Sequence, residues 1–268
     1  MADTVSSVQS HYGFDDLTGQ ILRALEGAGQ DLANPNAETF YPADQLHGGG
    51  LNTTKRQAEL AAIPDGARVL DAGCGIGGSS RFLAQNFGCR VEAMELTQDY
   101  VDAAKALTEM CGLETQINYR QGDITELPFD DQSFDLVWCQ NVTMNIEDKP
   151  RLFGEVFRVL RPGGRYAFSH AAGTGTGAPY YPLPWAREPH YSFLETEDRI
   201  LGWLQDTGFQ VLENANEADS FGSAKRPTVD LGRFSVMGED MPERGANTQR
   251  SIADGRIKGM IVVAGRPD

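Results

Sequence analysis

The chain is poor in the features that mark metal, disulfide or nucleic-acid proteins. Its four cysteines, Cys74, Cys89, Cys111 and Cys139, are scattered through 268 residues with no Cys-x-x-Cys pair. No zinc site or disulfide framework is expected, and buried thiols in a reducing cytosol account for them. Basic residues are also scarce, with 23 Lys and Arg against 38 Asp and Glu and a formal net charge of -15. Nucleic acid and anionic membranes are held mainly by Lys and Arg, so neither partner is expected. Solubility, or tolerance of a salty interior, explains the acidic surplus. No apolar run approaches the length of a membrane span. The start, Met1-Ala2-Asp3-Thr4-Val5, lacks the basic and apolar parts of a signal peptide, which predicts a cytoplasmic location. There is no internal repeat and no low-complexity tract. Hydrophobic content of 40% is enough for one core.

What stands out is Val69-Leu70-Asp71-Ala72-Gly73-Cys74-Gly75-Ile76-Gly77-Gly78. An apolar run that reads as a buried strand breaks into a glycine-rich turn, then into the helical pattern of residues 79–84. Glycine there lets the main chain turn sharply and lie against a nucleotide-like ligand. Two spacings are satisfied at once. Gly73, Gly75 and Gly78 fit the dinucleotide fingerprint, and Gly73, Gly75 and Gly77 fit the shorter Gly-x-Gly-x-Gly turn of methyl-donor enzymes. A second strand-like run over 89–94 ends in Glu95, about 20 residues beyond the turn, where a carboxylate can accept both ribose hydroxyls. A third run, from Tyr119, ends at Asp123 and Ile124, suited to an adenine amino group and ring nitrogen. A fourth strand reads over 133–138. Residues 159–165 read as a helix stopped by Pro162 and Gly163 before a fifth strand.

Leu17, Ile21, Leu22 and Leu25 recur at helical spacing. A polar stretch rich in Asn and Gly follows, then a helix over 53–62 with Asn52 or Thr53 as its cap. Strand and helix alternate to residue 171, which predicts an α/β fold with helices on both faces of a parallel sheet. Beyond lie an irregular segment over 173–190 rich in Gly, Pro and aromatics, and a helix over 195–207. A strand over 209–212, an insertion over 219–255 helical from Met241, and a strand over 257–264 complete the chain. A single domain is expected over 1–268, with cap helices in 1–62, a core in 63–171 and a substrate-side wall with the final strands in 172–268.

Taken in this order, residues 67–171 resemble the class I S-adenosylmethionine-dependent methyltransferases. The resemblance implies a Rossmann-like seven-stranded mixed sheet, mostly parallel, with the last strand antiparallel between the fifth and sixth. It also implies S-adenosyl-L-methionine as cofactor, held by Asp71, Gly73, Gly75, Glu95, Leu96, Asp123 and Ile124, with Gly77 completing the turn. Gln140, past the fourth strand, would meet the methionine part. A NAD-dependent dehydrogenase is the rival for the glycine turn alone, but the later segments do not suit it.

A narrower resemblance rests on His11-Tyr12-Gly13, Asp44-Gln45-Leu46-His47-Gly48-Gly49-Gly50, Asp148-Lys149-Pro150 and Pro184-Trp185-Ala186-Arg187-Glu188-Pro189. These look like the sarcosine/dimethylglycine N-methyltransferases, although an aromatic is usual where Leu46 stands. The implied reaction is N-methylation of a small amino acid towards a betaine, with the N-terminal segment and Tyr12 capping the donor. The alternative is O- or C-methylation of a natural product or sugar. An amine attacks only when neutral; its proton leaves to His47, named as base by the resemblance, to His11, or to water before binding. Asn145 is expected on the substrate side. Tyr12, Tyr41, Trp185 and Tyr191 could face a quaternary ammonium product or simply be core. Arg187 reads either as a bidentate clamp for a substrate carboxylate or as a surface ion pair. No metal site is expected, the substrate is expected to be a small molecule, and oligomeric state is not legible.

Overall fold

The computed structural model describes residues 16–218 and 237–268. Tyr12, His11 and the first part of the 219–255 insertion lie outside the described residues. Three helices come first: α1 (Leu17–Gly27), α2 (Ala37–Asp44) and α3 (Leu51–Ala61). The Asp16 side chain caps α1 through the Gly19 amide. Helix α2 falls between the two N-terminal helices read from the sequence, where no helix was expected. Its start is fixed by a capping box, in which Asn36 and Thr39 each satisfy the other's backbone. Helix α3 begins two residues earlier than expected. Gly50, at φ 53, precedes it without a side-chain cap, while Thr53 lies inside it and is fully buried.

The alternating core runs β1 (Arg68–Ala72), α4 (Gly78–Phe87), β2 (Arg90–Glu95), α5 (Gln98–Met110), β3 (Ile117–Gln121), β4 (Phe134–Gln140), α6 (Lys149–Val159) and β5 (Leu160–Gly173). It ends with α7 (Glu197–Thr207), β6 (Gln210–Asn216), α8 (Met241–Ala253) and β7 (Ile257–Gly265). The sheet order is β3-β2-β1-β4-β5-β7-β6, with β1 to β5 parallel and β7 antiparallel to both its neighbours. The Rossmann-like mixed sheet implied by the resemblance is therefore the observed one. Pro162 and Gly163 do not separate helix from strand as expected; α6 stops at Val159 and β5 runs through them, with a register shift against β4.

Burial on both faces of the sheet follows the period of two along β4. Leu136 and Trp138 join the cluster with Phe82 and Leu83 of α4, while Val137 and Cys139 join that of Leu152, Phe153 and Val156 of α6. The carboxyl ends of β1 to β5 thus open on one edge. The first two helices cover part of that edge, packing Leu17, Ile21, Leu25 and Phe40 against Ile76 and Tyr100.

Candidate functional site

A cavity of about 1820 Å³ lies along this edge, larger than the roughly 300–1,000 Å³ usual for a single small-molecule site. Gly73, Gly75, Glu95, Leu96, Asp123, Ile124 and Gln140 all line it, as does Ser79 at the start of α4. Gly73 and Gly75 have φ of 82 and 55, backbone that favours glycine. A Cβ at Gly75 would meet only Leu46 Cδ1, at 3.7 Å, so the main chain there lies open to a ligand.

Glu95 ends β2 beside that turn. Its Oε2 accepts from the Gly75 amide at 3.1 Å and its Oε1 from the Thr97 amide at 3.0 Å. Burial raises its pKa, against the pull of those amides. Each oxygen keeps a second lone pair, the acceptor set that a ribose diol needs. Asp123 Oδ1 accepts from the Thr125 amide and hydroxyl, both at 2.8 Å.

Two residues expected at the donor are not brought to the cavity. Asp71 lies beneath the turn, where its carboxylate accepts from Ser80 Oγ at 2.6 Å. Burial pushes its carboxyl up to about 7, with the Ser80 hydroxyl opposing and the Glu95 charge adding to the rise. Gly77 faces inward, and a Cβ there would collide with Tyr119 and Arg81. Its role is close packing at the entry to α4. Asp71 and Gly77 shape the turn from behind.

The turn is also held from the capping side. Arg81 and Asp44, both fully buried, pair at 2.9 Å, and Arg81 also donates to the Ile76 carbonyl at 2.9 Å. A Cβ at Gly78 would strike the Asp44 carbonyl, so this glycine lets the two segments touch. Sequence reasoning missed Arg81 and Thr54, because pairs 37 and 86 residues apart leave no periodic signal. Thr54, fully buried, meets Gln45 Oε1 at 2.6 Å, His47 Nε2 at 3.1 Å and Gln140 Nε2 at 3.3 Å.

On the acceptor side, Tyr41, His47, Asn145 and Trp185 line the cavity. The Tyr41 hydroxyl accepts from Asn86 at 3.2 Å and is raised to about 12, chiefly by burial. Asn145 Nδ2 donates to the Trp185 carbonyl at 3.1 Å, and Trp185 Nε1 to Ser192 at 2.9 Å. These bonds stitch the loop after β4 to the wall after β5. Trp185 is both anchor and lining, since it packs on Met144, Leu183 and Ile257. His47 meets Thr54 through Nε2 and the Gly48 carbonyl through Nδ1, at 3.2 Å. Arg187 is not part of the cavity. It pairs with Asp240, 3.1 Å away across 53 residues, and is half exposed. The clamp gives way to the surface ion pair, because Asp240 supplies the carboxylate.

An open sheet with a glycine turn and a carboxylate at the next strand end defines a nucleotide-type site of the Rossmann kind. Comparison with known proteins narrows that class. The family described as "Methyltransferase domain" matches residues 70–168. Phosphoethanolamine N-methyltransferase 3 of Arabidopsis thaliana is 27% identical over 68% of this chain and 36% of its own length. Sarcosine/dimethylglycine N-methyltransferase of Halorhodospira halochloris is 32% identical over 55% of this chain and 59% of its own. Geranyl diphosphate C-methyltransferase from Streptomyces coelicolor A3(2) superposes with a TM-score of 0.73 over 98% of both chains at 17% identity, a likeness of fold. The chain spans only about a third of the length of the Arabidopsis relative. These likenesses support a class I S-adenosylmethionine-dependent methyltransferase, with the family match confined to residues 70–168. The residues present fit the donor: an open backbone at Gly75, acceptor oxygens at Glu95, and Asp123 with Ile124 at the next strand end.

Proposed function

We propose that the chain transfers the methyl group of S-adenosylmethionine to an amine nitrogen of a small molecule. The donor supplies a methyl already activated on a sulfonium. The protein's work is therefore alignment of the nucleophile and exclusion of water. Glu95, Asp123, Ile124 and Gln140 would hold the donor. Asn145, Trp185 and the wall from the C-terminal third would hold the acceptor.

The observation that carries the choice of nitrogen is the state of His47. Both its ring nitrogens are already in contact with Thr54 and the Gly48 carbonyl. An acceptor that needs no dedicated base fits such a site, and an amine can lose its proton to water before it binds. The charge of the lining agrees: Glu38, Glu147, Asp148 and Glu217 join Glu95 and Asp123, against Lys55, Arg151 and Lys258. Such a surface attracts the sulfonium and steers a protonated amine to the cavity mouth, where it gives up its proton to water before binding. Sarcosine and dimethylglycine remain acceptors to test, but with Arg187 committed to Asp240 their carboxylate has no anchor there. The amine is the feature recognised.

The test is an acceptor screen with labelled donor over sarcosine, dimethylglycine, ethanolamine-type amines, phenols and sugars. Label appearing in amines supports the reading. Label confined to hydroxyl or carbon acceptors overturns it.

A further inference from the structure

The donor-side residues stand at the ends of β1 to β4, yet the cavity continues to Ile257 on β7, two strands beyond β4. Its volume, about 1820 Å³, exceeds the roughly 1,000 Å³ at the upper end of a single small-molecule site. Helix α8 forms one side of this further part. Met241, Gly245, Thr248 and Ile252 line the cavity, and their spacing of four, three and four puts them on one face of the helix.

Another face of α8 is fixed to the wall after β5. Asn247 donates to the Pro182 carbonyl at 3.1 Å, and the Tyr180 amide donates to Ser251 Oγ at 2.9 Å. The Arg250 guanidinium stacks 3.8 Å from the centre of the Tyr180 ring. Glu243, Arg244 and Arg250, the charged residues of α8, do not line the cavity. Thr248 Oγ1 donates back to the Arg244 carbonyl at 2.8 Å, which commits its one proton. What α8 offers the cavity is therefore uncharged and largely apolar.

Two residues of this strip are not explained by the chain's own packing. Gly245 stands inside the helix, where glycine is less stable than alanine, and a Cβ there would meet nothing within 4 Å. No described neighbour requires it to be small. Ile252, two turns on, is 52% exposed, one of two large apolar side chains so exposed among the described residues. At the other end Met241 is buried in the cluster with Phe40 and Ile76, beside the glycine turn. From Met241 to Ile252 the strip runs about 16 Å along the helix axis.

We propose that the acceptor is an amine with an extended apolar body that lies along this strip, and that Gly245 is a specificity-determining residue that leaves room for it. The body covers Ile252 and fills the notch at Gly245. A short amine such as sarcosine leaves the strip wet.

Nitrogen as the methylated atom rests on the reading above; the apolar strip does not. Binding is measured by calorimetry on the full chain saturated with S-adenosylhomocysteine, and transfer is followed with labelled donor. The probes are N-methylethylamine and N-methyl-4-phenylbutylamine, which share the nitrogen and differ in the body. The phenylbutyl probe binds about ten- to a hundredfold more tightly, the range for burying a phenyl-sized group. Gly245→Leu fills the notch without displacing a neighbour and removes most of that gain. The loss is selective, since N-methylethylamine is too short to reach the notch and binds within about twofold of wild type. Ile252→Ser, at an exposed position, lowers the affinity of the phenylbutyl probe by about three- to tenfold. Equal binding of the two probes overturns the proposal, and so does a Gly245→Leu chain that keeps the preference. Should Gly245→Leu melt lower, a preference unmoved by Ile252→Ser overturns it instead. Preferential binding without transfer to either probe overturns the choice of nitrogen and leaves the apolar strip standing. If the chain binds no S-adenosylhomocysteine, the donor reading falls, and the two probes titrated into the chain alone still decide the strip.

Discussion

Replacing Asp44 with asparagine tests whether the ion pair under the glycine turn holds the capping segment to the sheet. Exposed pairs contribute roughly 0–1 kcal/mol, because water screens them and long side chains lose freedom. Here both side chains are 0% exposed at a separation of 2.9 Å. Removing one partner of a buried pair strands the other charge, a loss of about 3–5 kcal/mol. Asparagine matches the shape of aspartate, so no cavity adds to this. Arg81 keeps its bonds to the Ile76 carbonyl and to Thr108. The lower end, about 3 kcal/mol, is therefore expected. Urea unfolding would measure it, with an unchanged slope showing that the same surface is exposed. Adding Arg81→Met to Asp44→Asn removes the stranded charge and should recover part of the loss. A loss below about 1 kcal/mol, the range of an exposed pair, refutes the reasoning. A double variant weaker than Asp44→Asn alone does the same.

Glu95→Gln leaves one acceptor oxygen and no charge, and should weaken S-adenosylhomocysteine binding about 10- to 100-fold by calorimetry; unchanged affinity removes Glu95 from the donor site. Arg187→Ala should change stability by less than about 1 kcal/mol and leave the acceptor Michaelis constant as it was. A selective rise in that constant would revive the clamp. Asp71 holds its proton to about pH 7 in the native chain because it is buried, whereas an unfolded aspartate loses it near 3.8. Native protein thus binds more protons across this window, and stability falls as pH rises through it. Relative to Asp71→Asn, the wild type should lose up to about 4 kcal/mol between pH 4 and pH 8, and a flat difference contradicts the assignment. Gly154 sits in α6 with nothing within 4 Å of a built Cβ. Gly154→Ala should therefore raise stability by about 0.5–1 kcal/mol, read from the same urea curves.

The donor half of the site was legible because its chemistry is local. A glycine turn and acids at successive strand ends are each written within a few neighbouring residues. The place of the last strand came from the resemblance, and β7 lies where it implied. Helix α2 escaped notice because eight residues with Pro42 inside show little periodicity; only Asn36 and Thr39 announced it. Asn52 and Thr53 looked like caps, but Gly50 holds the cap position and both residues lie inside the helix. Gly77 matched a spacing, yet a spacing does not tell which glycine faces ligand and which faces Tyr119. Arg187 was ambiguous for the same reason, since its partner is set by the placement of α8. Long-range side-chain pairing is where local reading stops.

The position of β7 has a consequence for how the chain reaches its native state. Among the described residues, strand β6 hydrogen-bonds to no strand but β7, which follows it in the chain after α8. Until β7 slots between its neighbours, β5 presents an unpaired border and β6 has no strand to pair with. Closure of this half of the sheet is thus a late, non-local event, of the kind that slows folding. A cut anywhere in β7 would detach two strands, not one.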